Sequence, residues 1–205
     1  MSDSDDNWPS PAYYVGPPKH LHAFGVLSAA YNAFDDGMFR LCMHHLEFLK
    51  LPHNLAEFFY LSLNEHQRLE AIEKVFVHCE KDPNVVALVK NLIKYFDWCS
   101  DVRNKLAHAE SYPAAFGGKA GHWHLSKRRS KKDANRGYMA LKLDALREMA
   151  DKVERGIRHC ALIQLCLRVR DIPLSQLPSA YADYADAPLP ELLIIPEKLE
   201  LSSCP

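Results

Sequence analysis

The stretch whose reading decides the fold is Pro83–His108, PNVVALVKNLIKYFDWCSDVRNKLAH. Its residues Val85, Val89, Leu92, Phe96, Cys99, Val102 and Leu106 recur at three- and four-residue intervals, the signature of one buried helical face. Asp82-Pro83 opens the helix as N-cap and first-turn proline. It closes on Arg103-Asn104-Lys105-Leu106-Ala107-His108, a polar run at the end of an apolar seam. On an ideal helix Arg103 and His108 lie about 140° apart, whereas Asn104 and His108 share a face. A helix end that loosens, or a second copy of the chain, is needed to bring Arg103 and His108 together.

Upstream, a first helix is expected from about Leu21 to Leu51, with Phe24, Leu27, Tyr31, Phe34, Met38, Leu41 and His45 on its buried stripe and Pro52 closing it. Asn54–Glu57 and Asn64–Gln67 both read as capping boxes, opening a short helix through Phe58 and Phe59 and then one with Leu69, Ile72, Val75, Phe76 and Cys79 inward. Downstream, the helical period disappears between Glu110 and Ala140. There Gly121–Lys127 and Gly137–Leu141 alternate as the two arms of a β-hairpin (about 121–141). A last long helix follows from about Asp144 to Arg170, with Leu146, Met149, Val153, Ile157, Ala161, Gln164 and Leu165 along its face, and Pro173 ends it. The expected fold class is therefore all-α, an antiparallel bundle of four to five helices with a small β-hairpin before the last one. Residues 1–20 read as an irregular N-terminal arm, 21–170 as the bundle and 171–205 as a Pro-rich tail, part of which docks through Leu192-Leu-Ile-Ile195.

The chain has 205 residues, 48% hydrophobic, with a formal net charge of -1, enough to bury a sizeable core and too balanced for a global field favouring nucleic acid. The acidic start Met-Ser-Asp-Ser-Asp-Asp lacks the blocks of a secretory signal, and no apolar run approaches the roughly 18 to 20 residues of a membrane span. A cytoplasmic protein with no membrane partner is expected. Six cysteines without Cys-x-x-Cys spacing read as reduced, mostly buried thiols.

Basic charge is concentrated in one place. Lys127, Arg128, Arg129, Lys131, Lys132 and Arg136 fall on the hairpin tip, where they suit phosphate contacts, with Trp123 and Tyr138 near enough in sequence to stack on unpaired bases. A solvated loop with a core tryptophan is the competing reading. His20-x-His22, His44-His45 and His122-x-His124 lack a matching Cys or carboxylate set, so they read as surface histidines; neither a metal site nor a cofactor is expected. No Gly-rich phosphate loop, serine elbow or zinc-protease motif is present. An Arg followed five residues later by His is a weak pattern alone, and Arg40…His45 repeats it inside the first helix as core and rim. Asp35 lies on the apolar stripe of the first helix, where a carboxylate needs a cation from another helix, Arg103 being one candidate, or else sits solvated at the stripe's edge.

Taken together, Arg103-Asn104-x3-His108 resembles the hallmark of the HEPN superfamily, an Arg, a polar residue, a short spacer and a His. Tyr31-Asn32-Ala33-Phe34-Asp35 is similar to the aromatic-Asn-x-Leu-Glu segment in the first helix of many bacterial members, with Asp35 where Glu is common. The resemblance covers about residues 21–170. It implies a helical bundle that dimerises, with the motifs of two protomers meeting in one cleft, and a metal-independent endoribonuclease, a toxin or defence effector with a cognate antitoxin as partner. It further implies that His108 moves a proton at the ribose 2′-hydroxyl or the leaving oxygen, Arg103 holds the phosphate, Asn104 positions and Asp35 orients Arg103. The products would be 2′,3′-cyclic phosphate and 5′-hydroxyl ends. Two other readings stay open: a non-catalytic HEPN module binding RNA or a protein, and a structural bundle whose Arg103 and His108 merely satisfy a helix end.

Overall fold

A computed structural model describes residues 16–48, 52–111, 122–130, 133–171 and 188–200. Among them are five helices, α1 (Pro18–Phe48), α2 (His53–Ser62), α3 (Glu65–Cys79), α4 (Pro83–Ala107) and α5 (Leu143–Asp171). Between α4 and α5 come three strands, β1 (Glu110–Ser111), β2 (His122–Ser130) and β3 (Asp133–Lys142). The protein is thus mostly helical with one small antiparallel sheet. No described helix is long and apolar enough to cross a membrane.

The helix starts show which local signals act. At α3 the reciprocal capping box is complete: Gln67 N donates to Asn64 Oδ1 and Asn64 N to Gln67 Oε1, both at 3.0 Å. At α4, Asn84 N donates to Asp82 Oδ1 at 2.8 Å, the N-cap expected from Asp82-Pro83. At α2 the expected box is absent. The helix begins two residues earlier, at His53, because the Pro52 carbonyl already accepts from Leu55 N and Ala56 N, leaving Asn54 inside the first turn. At α1, Pro18 is the first residue and the Pro17 carbonyl accepts from His20 N and Leu21 N. The helix therefore starts within the stretch expected as an arm, a proline being at home where no N–H partner is needed. Residues 1–15 of that arm, and residues 172–187 and 201–205 of the expected tail, lie outside the described residues.

The chain divides into two compact units, one of residues 1–29, 101–151 and 198–205 and the other of residues 30–100 and 152–197. In the first unit the sheet order is β1-β2-β3. The hairpin has the expected pairing, Trp123↔Leu141 and Lys127↔Gly137, and β1 adds a strand that was not expected, Glu110 facing Ser126 and Ser111 facing Leu125. Two residues carry too short a pattern to be read as a strand. Trp123, Leu125, Met139 and Leu141 are buried from one face of the sheet, with Leu27, Leu106 and Leu146 also in the unit's core. The Trp123 ring lies 5.9 Å from Phe24 and its Nε1 donates to Ser111 Oγ at 3.0 Å. Gly16, at φ 143°, passes so close to that indole that a side chain there would collide with it.

In the second unit the seam of α4 is buried as expected: Val85, Val89, Leu92, Phe96 and Cys99 are all 2% exposed or less. Phe96 meets Phe34 edge-on at 5.0 Å and Tyr31 at 5.2 Å. Phe34 in turn rests on Gly156 of α5, where a Cβ would run into its ring. This contact sets the phase of α5. The buried line there runs through Val153, Gly156, Cys160, Ile163 and Leu167, so the expected face through Ile157, Ala161 and Leu165 is shifted in its second half. Residues 188–197, extended, dock in this unit: Asn91 Nδ2 donates to the Leu193 carbonyl at 3.0 Å, Leu193 N donates back to Asn91 Oδ1 at 2.8 Å, and Trp98 Nε1 donates to the Glu197 carbonyl at 2.8 Å.

The five cysteines among the described residues are free thiols; burial pushes Cys42, Cys99 and Cys160 each up to about 12. Two histidines expected at the surface, His20 and His124, are buried instead: His20 lies on the Ala23 and Leu27 face of α1 beside the Trp123 ring, and His124 on the sheet face of Ser126, opposite that of Trp123 and Leu125. Burial lowers the His20 pKa.

Candidate functional site

The polar motif occupies the last turn of α4 in the first unit. Arg103, Asn104 and Lys105 are half-buried, Leu106 is buried in the core, and His108 is exposed. Leu106 is the pin: as a core residue it fixes the rotation of the turn, which sets Asn104 and His108 on the far side of the helix from it and Arg103 nearer to it. The helix does not loosen where sequence alone would allow it. His108 N still donates to the Asn104 carbonyl at 3.2 Å, the ordinary helical bond, and the departure comes one residue later, where Ala109 N bonds back to the Leu106 carbonyl at 3.3 Å. His108 thus keeps helical phase with Arg103, about 140° around the axis, and shares a side with Asn104.

The turn is held from three directions. Lys105 Nζ donates to Asp101 Oδ2 and to the Leu199 carbonyl, each at 2.6 Å, so the extended C-terminal segment reaches this turn too. Lys127 Nζ, from β2, donates to the Asn104 carbonyl at 3.2 Å. A cation on the last carbonyls of a helix is favourable through both the hydrogen bond and the helix dipole. Beyond the turn the chain enters β1 directly, where Glu110 takes Arg136 in a two-pronged ion pair at 2.5 and 3.3 Å. Arg136 also donates to Ser126 Oγ at 3.0 Å. Glu110 holds the Arg136 guanidinium above its ordinary pKa by hydrogen bond and charge. In backbone register Arg136 stands opposite Arg128 across the hairpin.

The basic set expected to hold RNA therefore divides. Lys127 and Arg136, the two whose side chains are described, are half-buried and work inside the unit, one on the helix end and one on β1. Arg128 and Arg129 are backbone members of β2 whose side chains are outside the described residues, as are Lys131 and Lys132. Tyr138 is half-buried on the sheet face of Ser126, and Trp123 belongs to the core, as the plainer of its two readings had it.

Asp35 belongs to the second unit, half-buried at the edge of its stripe. Arg68 of α3 stands 3.3 Å from it in an ion pair that the sequence reading did not foresee. Arg68 Nε also donates to the Tyr60 and Leu63 carbonyls at 3.2 and 3.0 Å, and its guanidinium lies 5.1 Å from the Tyr60 ring centre. One arginine thus closes the C-terminal end of α2, reaches Asp35 on α1 and stands on α3. Beside it Glu65, in the first turn of α3, accepts from Tyr31 Oη at 2.6 Å and from Ser100 Oγ. Sequence reading missed both Arg68 and Glu65. The available signal was the complete capping box at Asn64–Gln67, which places Glu65 at a helix N-terminus, where a carboxylate is stabilised. Arg40 and His45, the second match to the Arg-x4-His spacing, are rim and core as expected: Arg40 pairs with Asp36 at 2.6 Å, and His45 is buried 3.5 Å from Glu80.

Among the described residues no three His, Cys, Asp or Glu side chains are grouped so as to hold a metal ion. No family model, curated protein or solved structure matches the chain.

Proposed function

We propose that the protein is a metal-independent endoribonuclease of HEPN type, a helical bundle acting as a homodimer whose cleft joins the motifs of two protomers. One observation supports it above the others: His108 is exposed at the end of α4 while its backbone stays in helical phase, about 140° from Arg103. An exposed imidazole can exchange a proton with a ribose 2′-hydroxyl. An arginine set about 140° around the axis of the same turn is best used by the other protomer of a two-fold pair. In that cleft Arg103 holds the phosphate and the charge that develops on it, His108 transfers the proton, and Asn104, on the His108 side, positions it. The exposed Leu55, Phe58, Phe59 and Leu61 of α2 supply an apolar surface of the kind that self-association covers.

The test is cleavage of mixed RNA by the purified protein in EDTA, beside Arg103→Ala and His108→Ala. Wild-type cleavage leaving cyclic phosphate ends is expected, with each variant at least about 100-fold slower. Equal activity in all three would sink the reading. A second reading, a non-catalytic module for a peptide partner, rests on the Lys105–Leu199 bond, since a residue of the motif already holds extended backbone. It predicts intact RNA under every condition.

A further inference from the structure

A cavity of about 360 Å³ lies in the second unit, at the lower end of the roughly 300 to 1,000 Å³ of small-molecule sites. Arg40 and His44 line it from α1, His53 from α2, and Arg168 from α5. The helices put these groups together by simple spacing: Arg40 and His44 are one turn apart, as are Gln164 and Arg168. The α1 and α5 sides are tied by Gln164 Nε2, which donates to the Gly37 carbonyl at 2.7 Å. Every ionisable group lining the cavity is a base. Asp36 takes one nitrogen of Arg40 at 2.6 Å, one of the several N–H groups that guanidinium carries. Arg168 is exposed and has no hydrogen-bond or ion-pair partner among the described residues. The remaining lining is apolar: Met43, and Phe39, whose ring stands edge-on to His53 at 6.3 Å.

We propose that this cavity binds a small phosphate monoester with a flat apolar organic part, its phosphate between Arg40 and Arg168 and its ring against Phe39. Two arginines from different helices match the planar, bidentate recognition of a phosphate. A ring beside Phe39 gains the aromatic contact that inorganic phosphate lacks. The volume suits one such molecule.

Isothermal titration of the full chain with phenyl phosphate, inorganic phosphate and phenol tests each half. Phenyl phosphate is expected to bind one to one, about tenfold or more tighter than either component, tenfold being about 1.4 kcal/mol. Arg168→Gln, an exposed change that spares the fold, should weaken phenyl phosphate and phosphate alike by about tenfold. Phe39→Leu should weaken phenyl phosphate and leave phosphate unchanged. Absence of saturable binding by phenyl phosphate, or an Arg168→Gln protein that binds it as well as wild type, overturns the proposal. Phenol binding as tightly as phenyl phosphate also overturns it.

Discussion

Glu80 shows how much one side chain can carry. It ends α3 with its carboxylate 3% exposed, takes Arg170 through both oxygens at 2.9 and 3.1 Å, and accepts from Lys81 N and Asp82 N at 2.8 and 2.9 Å. Burial raises its pKa, but the bonds from Arg170, Asp82 and Lys81 outweigh that and hold it below the ordinary carboxylate value. A depressed carboxyl stabilises the fold above its unfolded pKa, about 4.3, and that contribution disappears as pH falls through the folded value. Glu80→Gln is therefore expected to cost about 2 kcal/mol at pH 7 in urea unfolding, the gap to wild type closing as pH drops below about 4. A gap that stays constant down to pH 3 would mean that the ionised carboxylate is not what matters. None of this was legible in the sequence, because Arg170 lies 90 residues away. The same holds for Asp35. Its position at the edge of an apolar stripe could be read, yet the ion pair with Arg68 depends on how the end of α2 meets α1 and α3.

At the level of elements, legibility follows the strength of the local signal. The α4 seam, the box at Asn64, the cap at Asp82 and the pairing of β2 with β3 were readable because each is written in neighbouring residues. The phase of α5 was not. Its buried line passes through Gly156, which carries no hydropathy, and gains its meaning only from the Phe34 ring that lies against it. The false box at Asn54 failed for a related reason, since the Pro52 carbonyl accepts from Leu55 N and Ala56 N and starts the helix at His53, ahead of Asn54. Gly156 gives the sharpest prediction at this scale. Gly156→Ala improves helix propensity, so on an exposed face it would stabilise by about 1 kcal/mol. Against Phe34 it should instead destabilise by about 1 to 3 kcal/mol. Combining it with Phe34→Leu should cost less than the two single changes summed, because one relieves the other. Additive costs would place the Phe34 ring elsewhere.

For the whole molecule the question is whether one chain holds a complete site. Of the motif, the types and spacing of Arg103, Asn104 and His108 were legible, whereas their exposure and the hold of Lys127 on the helix end were not, since both depend on the sheet packed beyond it. Helical phase through His108 leaves Arg103 and His108 turned apart within a chain, and the composite reading turns that into arithmetic. If each cleft takes Arg103 from one protomer and His108 from the other, a dimer of Arg103→Ala with His108→Ala contains one cleft with both residues intact and one with neither. Equal mixing, with exchange of subunits, makes about half of the dimers mixed, so about a quarter of wild-type activity should return although each variant alone is inactive. The recovery should follow the rate of subunit exchange and vanish on dilution below the dimer's dissociation constant. A site completed within one protomer gives no recovery at any mixing ratio, because neither chain then carries both residues. Cleavage of a labelled RNA, followed as the ratio of the two variants is varied at fixed total protein, separates the cases: the composite site gives a curve peaking at equal amounts, and the single-chain site a flat line at background.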